Sequence, residues 1–383
     1  MTAGFRWHPN ARLCDASGRE VLPQRPTGPV VADGPIGLAQ VIGLPAFRIG
    51  ALDQPAPAAG DQPMFETLTS GSTGVPRRIL RTQASWLASF AVNAQFGIGP
   101  GARVAVLGRL VQSLALYGAV EGLHLGAEVH CLDLLRPDRQ RQALADRRIT
   151  HLYATPAQLR LLGPGRCPDL RLVLVGGSKL DPALRVALRA LAPKAQVQEF
   201  YGAAETSFIT LADEATPEGS VGWAYPGVVI RVDTDAEVWV KSPYLFVGYA
   251  SDPGSARWRD GWLSVGEIGR LEEGFLYLRG RAGRMVTIAD QNVFPEEIEG
   301  LLAAMPGVSQ AAVLPVADAQ RGAVLVAFLR GDPSADGTVM ATLRARLGPT
   351  MAPKRLIWLE DWPTLPSGKT DLAALEGRAT WRV

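Results

Sequence analysis

The run Leu68–Arg78, LTSGSTGVPRR, crowds hydroxyl side chains and glycines together and closes on two arginines. Glycines let successive backbone N–H groups turn toward one point, and Ser and Thr hydroxyls add donors. Thr69, Ser70, Gly71, Ser72, Thr73 and Gly74 therefore suit an anion, above all a phosphate, with Arg77 adding positive charge. The spacing is not GxxxxGK[ST], so this is not the P-loop of nucleoside triphosphatases. Taken alone, the stretch is equally a surface linker. Four others carry matching chemistry. EFYGAAETSF (199–208) follows a strand-like QVQEF and presents Glu205 beside glycine; a carboxylate near a phosphate reaches it through Mg²⁺. DGWLSVGEIGRL (260–271) sets Glu267 in a glycine-flanked turn, where an acid can accept both hydroxyls of a ribose. GRAGR (280–284) offers Arg281, and LPSGKTDLAAL (365–375) places Lys369 on a glycine turn before a short helix.

These residues need a scaffold, and the apolar pattern supplies one. ARVAVLG (102–108), GAEVHCLD (126–133), THLYA (150–154) and LRLVLVGG (170–177) read as buried strands. Between them, 111–125 and 181–193 read as helices, the second with Leu184, Leu188 and Leu191 on one face. Strand–helix repetition predicts an α/β lobe built on a mainly parallel sheet covered by helices. Ligands of such sheets gather at the carboxyl ends of the strands. Residues 1–64, rich in Pro, Gly and Ala, read as short strands and loops. After Gly219 the texture becomes antiparallel β, as in 237–243 and 262–281. FPEEIEGLLAAMPGV (294–308) then opens a helix on Pro295 and acidic residues, and two strands follow it. The expected organisation is a large lobe, 1–280, with a β-rich subdomain, and a small mobile α+β lid, 281–383, hinged near Arg281.

Composition narrows the class. The 383 residues are 47% hydrophobic and 20% charged, as in a folded soluble protein. With 39 basic against 37 acidic residues the net charge is +2, and no basic tract marks a nucleic-acid surface. Cys14, Cys131 and Cys167 are few, odd in number and widely spaced, which argues against a disulfide framework or a cysteine-rich metal site. His8, His124, His130 and His151 show no metal-binding spacing. No apolar run approaches a membrane span and no signal-like segment opens the chain, so a cytoplasmic protein is expected.

In their order along the chain, from Phe65 to Leu375, these stretches resemble the AMP-forming adenylate ligases: acyl- and aryl-CoA synthetases, peptide-synthetase adenylation domains and luciferases. TSGSTGVPR (69–77) is similar to T-S-G-[ST]-T-G-x-P-K, and VGGSKL (175–180) to the family's GGAPL strand end. YGAAETS resembles Y-G-x-T-E, GWLSVGEIGRL resembles GW-x-x-T-G-D-x-G, GRAGRMVTIADQNVFPEEIE resembles the hinge segment, and LPSGKTDLAAL the terminal lysine motif. The resemblance implies an ATP-dependent ligase that joins a small or aromatic carboxylic acid to AMP and then to the thiol of CoA or of a phosphopantetheine carrier protein. It implies that Lys369, Glu205 and Thr73 serve catalysis, with Glu205 holding Mg²⁺. It assigns Ser70, Ser72, Thr73 and Arg77 to phosphates, Gly176, Gly177, Ser178 and Tyr201 to adenine, Glu267 and Arg281 to ribose, and Gly202 to the nucleotide site. Gln112, Ser178, Ser207 and Phe208 are candidates for the acyl pocket. Transfer to a carrier protein or an amine, or a degenerate nucleotide-binding module, are the alternatives.

The chain departs from the family pattern in places. Arg77 replaces Lys, keeping charge but changing donor geometry. Ala204 replaces a Thr, and Glu267 replaces an Asp. Gly283, Thr287 and Asp290 change the hinge segment, the last where a glycine lets pantetheine approach. Val111-Gln112 stands where relatives often carry an aromatic–His pair. The part before the phosphate segment is shorter than usual, as in the compact o-succinylbenzoate-CoA ligase type.

Overall fold

The computed structural model describes residues 4–58, 60–68, 77–252, 254–288, 291–318, 322–365 and 368–379. The chain divides into two compact units, one of Met1–Ile230, Val240–Leu263 and Gly274–Leu276, the other of Arg231–Trp239, Ser264–Glu273 and Tyr277–Val383. The division expected near 280 is a single cut, whereas these units interleave: 231–239 and 264–273 group with the residues after 277.

In the first unit, parallel strands run in the order Arg12–Cys14, Glu128–Cys131, Arg103–Val106, His151–Ala154, Leu172–Val175, Gln196–Ala203. Ser207–Ala212 and Ser220–Ala224 continue the sheet antiparallel. His151–Ala154 and Leu172–Val175 are buried at every position. Helices cover both faces of such a sheet, so its strands read as unbroken apolar runs. On one face Leu152, Ala154, Val173 and Val175 pack with Leu144, Leu159, Leu184 and Leu188 from the helices Pro137–Asp146, Pro156–Leu162 and Pro182–Leu191. On the other, Tyr117 of the helix Ser113–Leu125 meets Tyr153 at a centroid distance of 6.1 Å. Pro182–Leu191 starts where its sequence says it should. The Asp181 side chain accepts from Leu184 N at 2.8 Å, proline follows, and Leu184, Leu188 and Leu191 are buried.

A second sheet of this unit has the order Gly248–Tyr249, Arg78–Thr82, Met64–Leu68, Ala46–Ile49, Val30–Val31. Met64–Leu68 and Arg78–Thr82 are antiparallel with Leu68 opposite Arg78, so the phosphate-loop candidate joins two paired strands. Thr69, Ser70, Gly71, Ser72, Thr73 and Gly74 themselves lie outside the described residues. Phe5, Phe47, Phe65, Trp86 and Phe90 meet ring to ring behind this sheet. Next to Phe47 on the same strand, Arg48 is fully buried. It pairs with Glu66 at 2.6 Å and donates to the carbonyls of Gly50, Ala51, Gln54 and Pro55. The described residues of 1–64 hold the short strands expected of them and also the helix Pro35–Val41, too brief to raise a periodic signal.

The second unit carries most, not all, of the β-rich stretch, in which Val229–Val232, Glu237–Lys241, Trp262–Glu272 and Phe275–Arg281 are adjacent in that order. It also carries a three-stranded sheet: Val308–Asp318 antiparallel to Gly322–Gly331, which is parallel to Arg355–Trp358. Alternation along Gly322–Gly331 sorts the side chains. Leu325, Ala327 and Leu329 face Ile298, Leu302, Val339 and Leu343, whereas Val326 and Phe328 face Trp362 and Leu375. Helices Pro295–Ala303, Asp336–Met351 and Leu372–Ala379 supply those partners except Trp362, an α+β arrangement. Among the described residues no helix is long and apolar enough to cross a membrane.

One polar knot sits inside the first unit. Glu121, fully buried, accepts from Asn93 Nδ2 at 2.9 Å, from Tyr117 OH at 3.2 Å and from Tyr153 OH. Tyr225 OH donates to Asn93 Oδ1 at 2.7 Å, tying the helix Gln83–Asn93 into the same network. Burial pushes the Glu121 carboxyl up to about 8, against the opposing effect of its hydrogen bonds. Below the unfolded carboxyl value both states hold the proton. Above it the unfolded chain loses the proton while the folded one keeps it, so the Glu121 contribution to stability is lost as pH rises toward 8. Urea unfolding of the wild type and Glu121→Gln between pH 5 and 8 tests this. The wild type should weaken relative to the variant as pH rises, and parallel profiles would refute it.

Candidate active site

Glu205 lies in the tight turn between Gln196–Ala203 and Ser207–Ala212. The pairing slips by a bulge at Tyr201/Gly202. Gly202 is required there, since a Cβ would lie 1.8 Å from the Ser207 carbonyl oxygen. Ser207 itself sits in the left-handed region at φ 57°, a conformation that non-glycine residues rarely adopt. The turn is stitched at both levels. Thr206 Oγ1 accepts from Ala203 N at 2.9 Å, and the Glu205 carbonyl accepts from Phe246 N at 2.8 Å.

The Glu205 side chain is aimed as well. Tyr249 OH donates to its Oε1 at 2.8 Å, and the Arg77 guanidinium lies 4.6 Å over the Tyr249 ring. Arg77 ends the phosphate-loop candidate, so one tyrosine holds both the acid and the cation predicted for the phosphates. Burial, reinforced by the Glu205 charge, pushes the Tyr249 hydroxyl up to about 12, which keeps it a donor. A half-buried carboxylate held at one oxygen by a tyrosine suits a hard divalent cation shared with phosphate oxygens.

The adenine candidates cluster at the carboxyl end of Leu172–Val175. The Phe200 ring covers Gly176 so closely that a Cβ there would lie 2.2 Å from it. Gly177 follows at φ 98°, Ser178 is exposed and Tyr201 is half-buried. Of the acyl-pocket candidates, Gln112 is the N-cap residue of Ser113–Leu125 and bridges Leu68, beside the start of the phosphate segment. Ser207 Oγ accepts from the Arg81 guanidinium at 2.8 Å. Phe208 is 2% exposed, stacked on Tyr225 at 4.7 Å and set against Phe200 at 4.6 Å, so it is a wall inside the core.

The remaining candidates belong to the second unit. Arg281 Nε lies 3.4 Å from Glu267 Oε1, joining the two ribose candidates in an ion pair. Burial raises the Glu267 carboxyl, and Arg281 opposes that rise. Lys369 is exposed on a turn in which Leu365 N donates to the Lys369 carbonyl and Gly368 N to the Leu365 carbonyl, both at 2.8 Å. Gly283 lies in the single turn Ala282–Arg284, Thr287 Oγ1 donates to Asn292 Oδ1 at 3.1 Å, and Asp290 lies outside the described residues.

Sequence reasoning missed three groups here. Arg284 pairs with Glu296 at 3.1 Å and Glu299 at 2.8 Å and donates to the Val313 carbonyl, pinning the hinge segment to the helix Pro295–Ala303. Its signal was the acidic run of PEEIE facing an arginine-rich turn. Arg81 and Tyr249 gave no signal, since only tertiary contact joins them to the Glu205 turn. A further cluster, Cys14, Glu128 and His130, brings ligand-type atoms within 4.8 Å of one another. Arg12 lies 3.3 Å and Arg103 3.9 Å from Glu128, and Arg147 adds to the positive field at His130. That field opposes a cation, and the cluster is an ion-pair network at the sheet edge.

Comparison with known proteins points the same way. Residues 11–250 match the family described as AMP-binding enzyme, and residues 297–369 match the AMP-binding enzyme C-terminal domain. The uncharacterized acyl-CoA ligase YhfT of Bacillus subtilis is 33% identical over 329 residues, 81% of this chain and 67% of that protein. The putative long chain fatty acid-CoA ligase VraA of Staphylococcus aureus is 28% identical over 69% of this chain. The chain spans only 59% of VraA's length. The solved structure of the amide bond synthetase McbA from Marinactinospora thermotolerans superposes with a TM-score of 0.74 at 25% identity, covering 88% of this chain and 76% of McbA. The chain belongs to the AMP-binding enzyme family.

Proposed function

We propose that this chain activates a small or aromatic carboxylic acid with ATP and passes the acyl group to the thiol of CoA. The observation that carries the reading is the Glu205–Tyr249–Arg77 array at the end of the phosphate segment. In the first step a carboxylate oxygen forms a bond to the α-phosphorus while the bond to pyrophosphate breaks, giving an acyl-adenylate. In the second, the thiolate attacks the acyl carbon and AMP leaves with the carboxyl-derived oxygen. A carboxylate is a weak nucleophile and both reactants are anions, so alignment and positive charge must do the catalysis.

Ser70, Ser72, Thr73 and Arg77 would hold the β- and γ-phosphates. Glu205 would hold Mg²⁺, which when bound draws negative charge from the phosphate oxygens. Gly176, Gly177, Ser178 and Tyr201 would form the adenine wall, Gly202 would belong to the nucleotide site, and Glu267 with Arg281 would take the ribose. Lys369 would bridge the substrate carboxylate and the α-phosphate. VraA is named for long chains, yet a compact acid suits this chain better. Phe200, Phe208, Tyr225 and Tyr117 fill the interior behind the Glu205 turn, with ring centroids 4.6 to 5.3 Å apart along the stack. The likeness to McbA supports a second reading in which an amine takes the acyl group; a carrier protein is the third acceptor to be tested.

A pyrophosphate-release screen over aliphatic and aromatic acids, with products read by mass spectrometry, separates these readings. Thioester formed only with CoA supports the proposal, amide or carrier loading replaces it, and no release with any acid overturns it. Lys369→Ala should lower adenylate formation by about a hundredfold or more while calorimetric ATP binding stays intact; unchanged pyrophosphate release would remove Lys369 from the reaction. Glu205→Gln should shift the Mg²⁺ titration of the first step to higher concentration. An unmoved titration would take the metal away from that carboxylate.

A further inference from the structure

Arg81 lies on Arg78–Thr82, just beyond the phosphate segment, and is 0% exposed. Its guanidinium donates to the Ala204 carbonyl, to Ser207 Oγ at 2.8 Å and to the Tyr244 carbonyl, and it lies 5.9 Å from the Trp86 ring centroid. Its Nε–H has no acceptor among the described residues. Arg48, on another strand of the same sheet and equally buried, is fully satisfied and directly paired with Glu66. Arg81 makes no such pair. Burial lowers it to about 9, still charged at neutral pH, and the opposite charge that counters burial most is Glu205.

A buried cation without a bonded carboxylate is a poor way to stabilise a core, because an apolar side chain avoids both the desolvation and the orphaned N–H. What Arg81 does uniquely is grip both ends of the Glu205 turn, Ala204 before it and Ser207 after it, and lock them to Tyr244. Two residues beyond Tyr244, Phe246 N binds the Glu205 carbonyl, and three further on Tyr249 binds its carboxylate. The strained Ser207 backbone is held in the same grip. Resting on the proposed reading of Glu205, we infer that Arg81 is a positioning residue: by clamping Ala204, Ser207 and Tyr244 it sets where the Glu205 carboxylate meets the cation of the metal–nucleotide complex.

Calorimetric titration of ATP, once with Mg²⁺ and once with EDTA, tests this on the wild type, Arg81→Met and Arg81→Lys. Residues that orient a metal ligand typically carry 10- to 100-fold in metal affinity, so Arg81→Met should weaken ATP binding by about that factor with Mg²⁺ and leave it nearly unchanged in EDTA. Arg81→Lys keeps the charge but loses the planar fork, and a smaller loss of the same selectivity is expected. Equal weakening in both titrations would mean a general structural role and overturn the inference, as would no weakening in either. Should Arg81→Met fail to fold, as a urea titration would reveal, the same comparison on Arg81→Lys decides. A wild type that binds no ATP removes the proposed function and this inference together, whereas a wild type that binds MgATP beside a non-selective variant removes only the inference.

Discussion

A guanidinium withdrawn from water must find acceptors for five N–H groups, and this chain buries two of them on one small sheet. Arg48 meets the demand in full, using Glu66 and four carbonyls from 50–55 to shape the loop after Ala46–Ile49. Glu66 also receives Arg78 at 3.6 Å, so the strand that leaves the phosphate segment is fastened to the same charge. Removing one partner of a buried pair such as Arg48–Glu66 generally costs about 3–5 kcal/mol, because the other charge is left uncompensated. Arg81 meets the demand only in part, with main-chain and hydroxyl oxygens from two distant loops, and its Nε–H finds no acceptor among the described residues. The first arginine builds the sheet, and the second joins that sheet to the bulged turn carrying Glu205.

That turn depends on conformations few residues accept. Gly202 lets the Ser207 carbonyl come within a distance no Cβ would permit, and Ser207 takes a left-handed backbone. Behind it, stacked rings and the Glu121 knot leave little room to relax. A site that must align two anions gains from such stiffness, since each oxygen aimed in advance lowers the reorganisation needed during reaction. The second unit is assembled differently. It has a two-faced sheet with an apolar core on each side, and its exposed Lys369 turn is closed by backbone hydrogen bonds, with Trp362 Nε1 donating to Thr370 Oγ1 at 3.1 Å.

The legible parts of the fold were those governed by short-range pattern. Four parallel strands were readable as apolar runs because both their faces are covered, and Pro182–Leu191 because its cap and leucine spacing agree. Pro137–Asp146 passed unnoticed, since only Gln140, Ala143 and Leu144 are buried and the rest is polar. Pro35–Val41 is too short for periodicity to show. Among site residues, Glu205 and Lys369 stood out because glycines punctuate their turns, whereas Glu267, expected in such a turn, lies inside the strand Trp262–Glu272. Glu121 gave nothing away: a glutamate on a helix reads as solvated until the helix is known to be covered on that side.

Residue type and spacing were enough to say which atoms could bind phosphate, ribose and metal, and that a strand–helix alternation would carry them. Those properties are local, set by backbone freedom at glycine and by the donors each side chain owns. Why Tyr249 stands between Glu205 and Arg77, and that Phe208 is a core wall, depend on partners 44 to 172 positions away in the chain. Such contacts exist only once the sheets have closed, because no pattern within a dozen residues encodes a meeting between strands that the chain reaches separately.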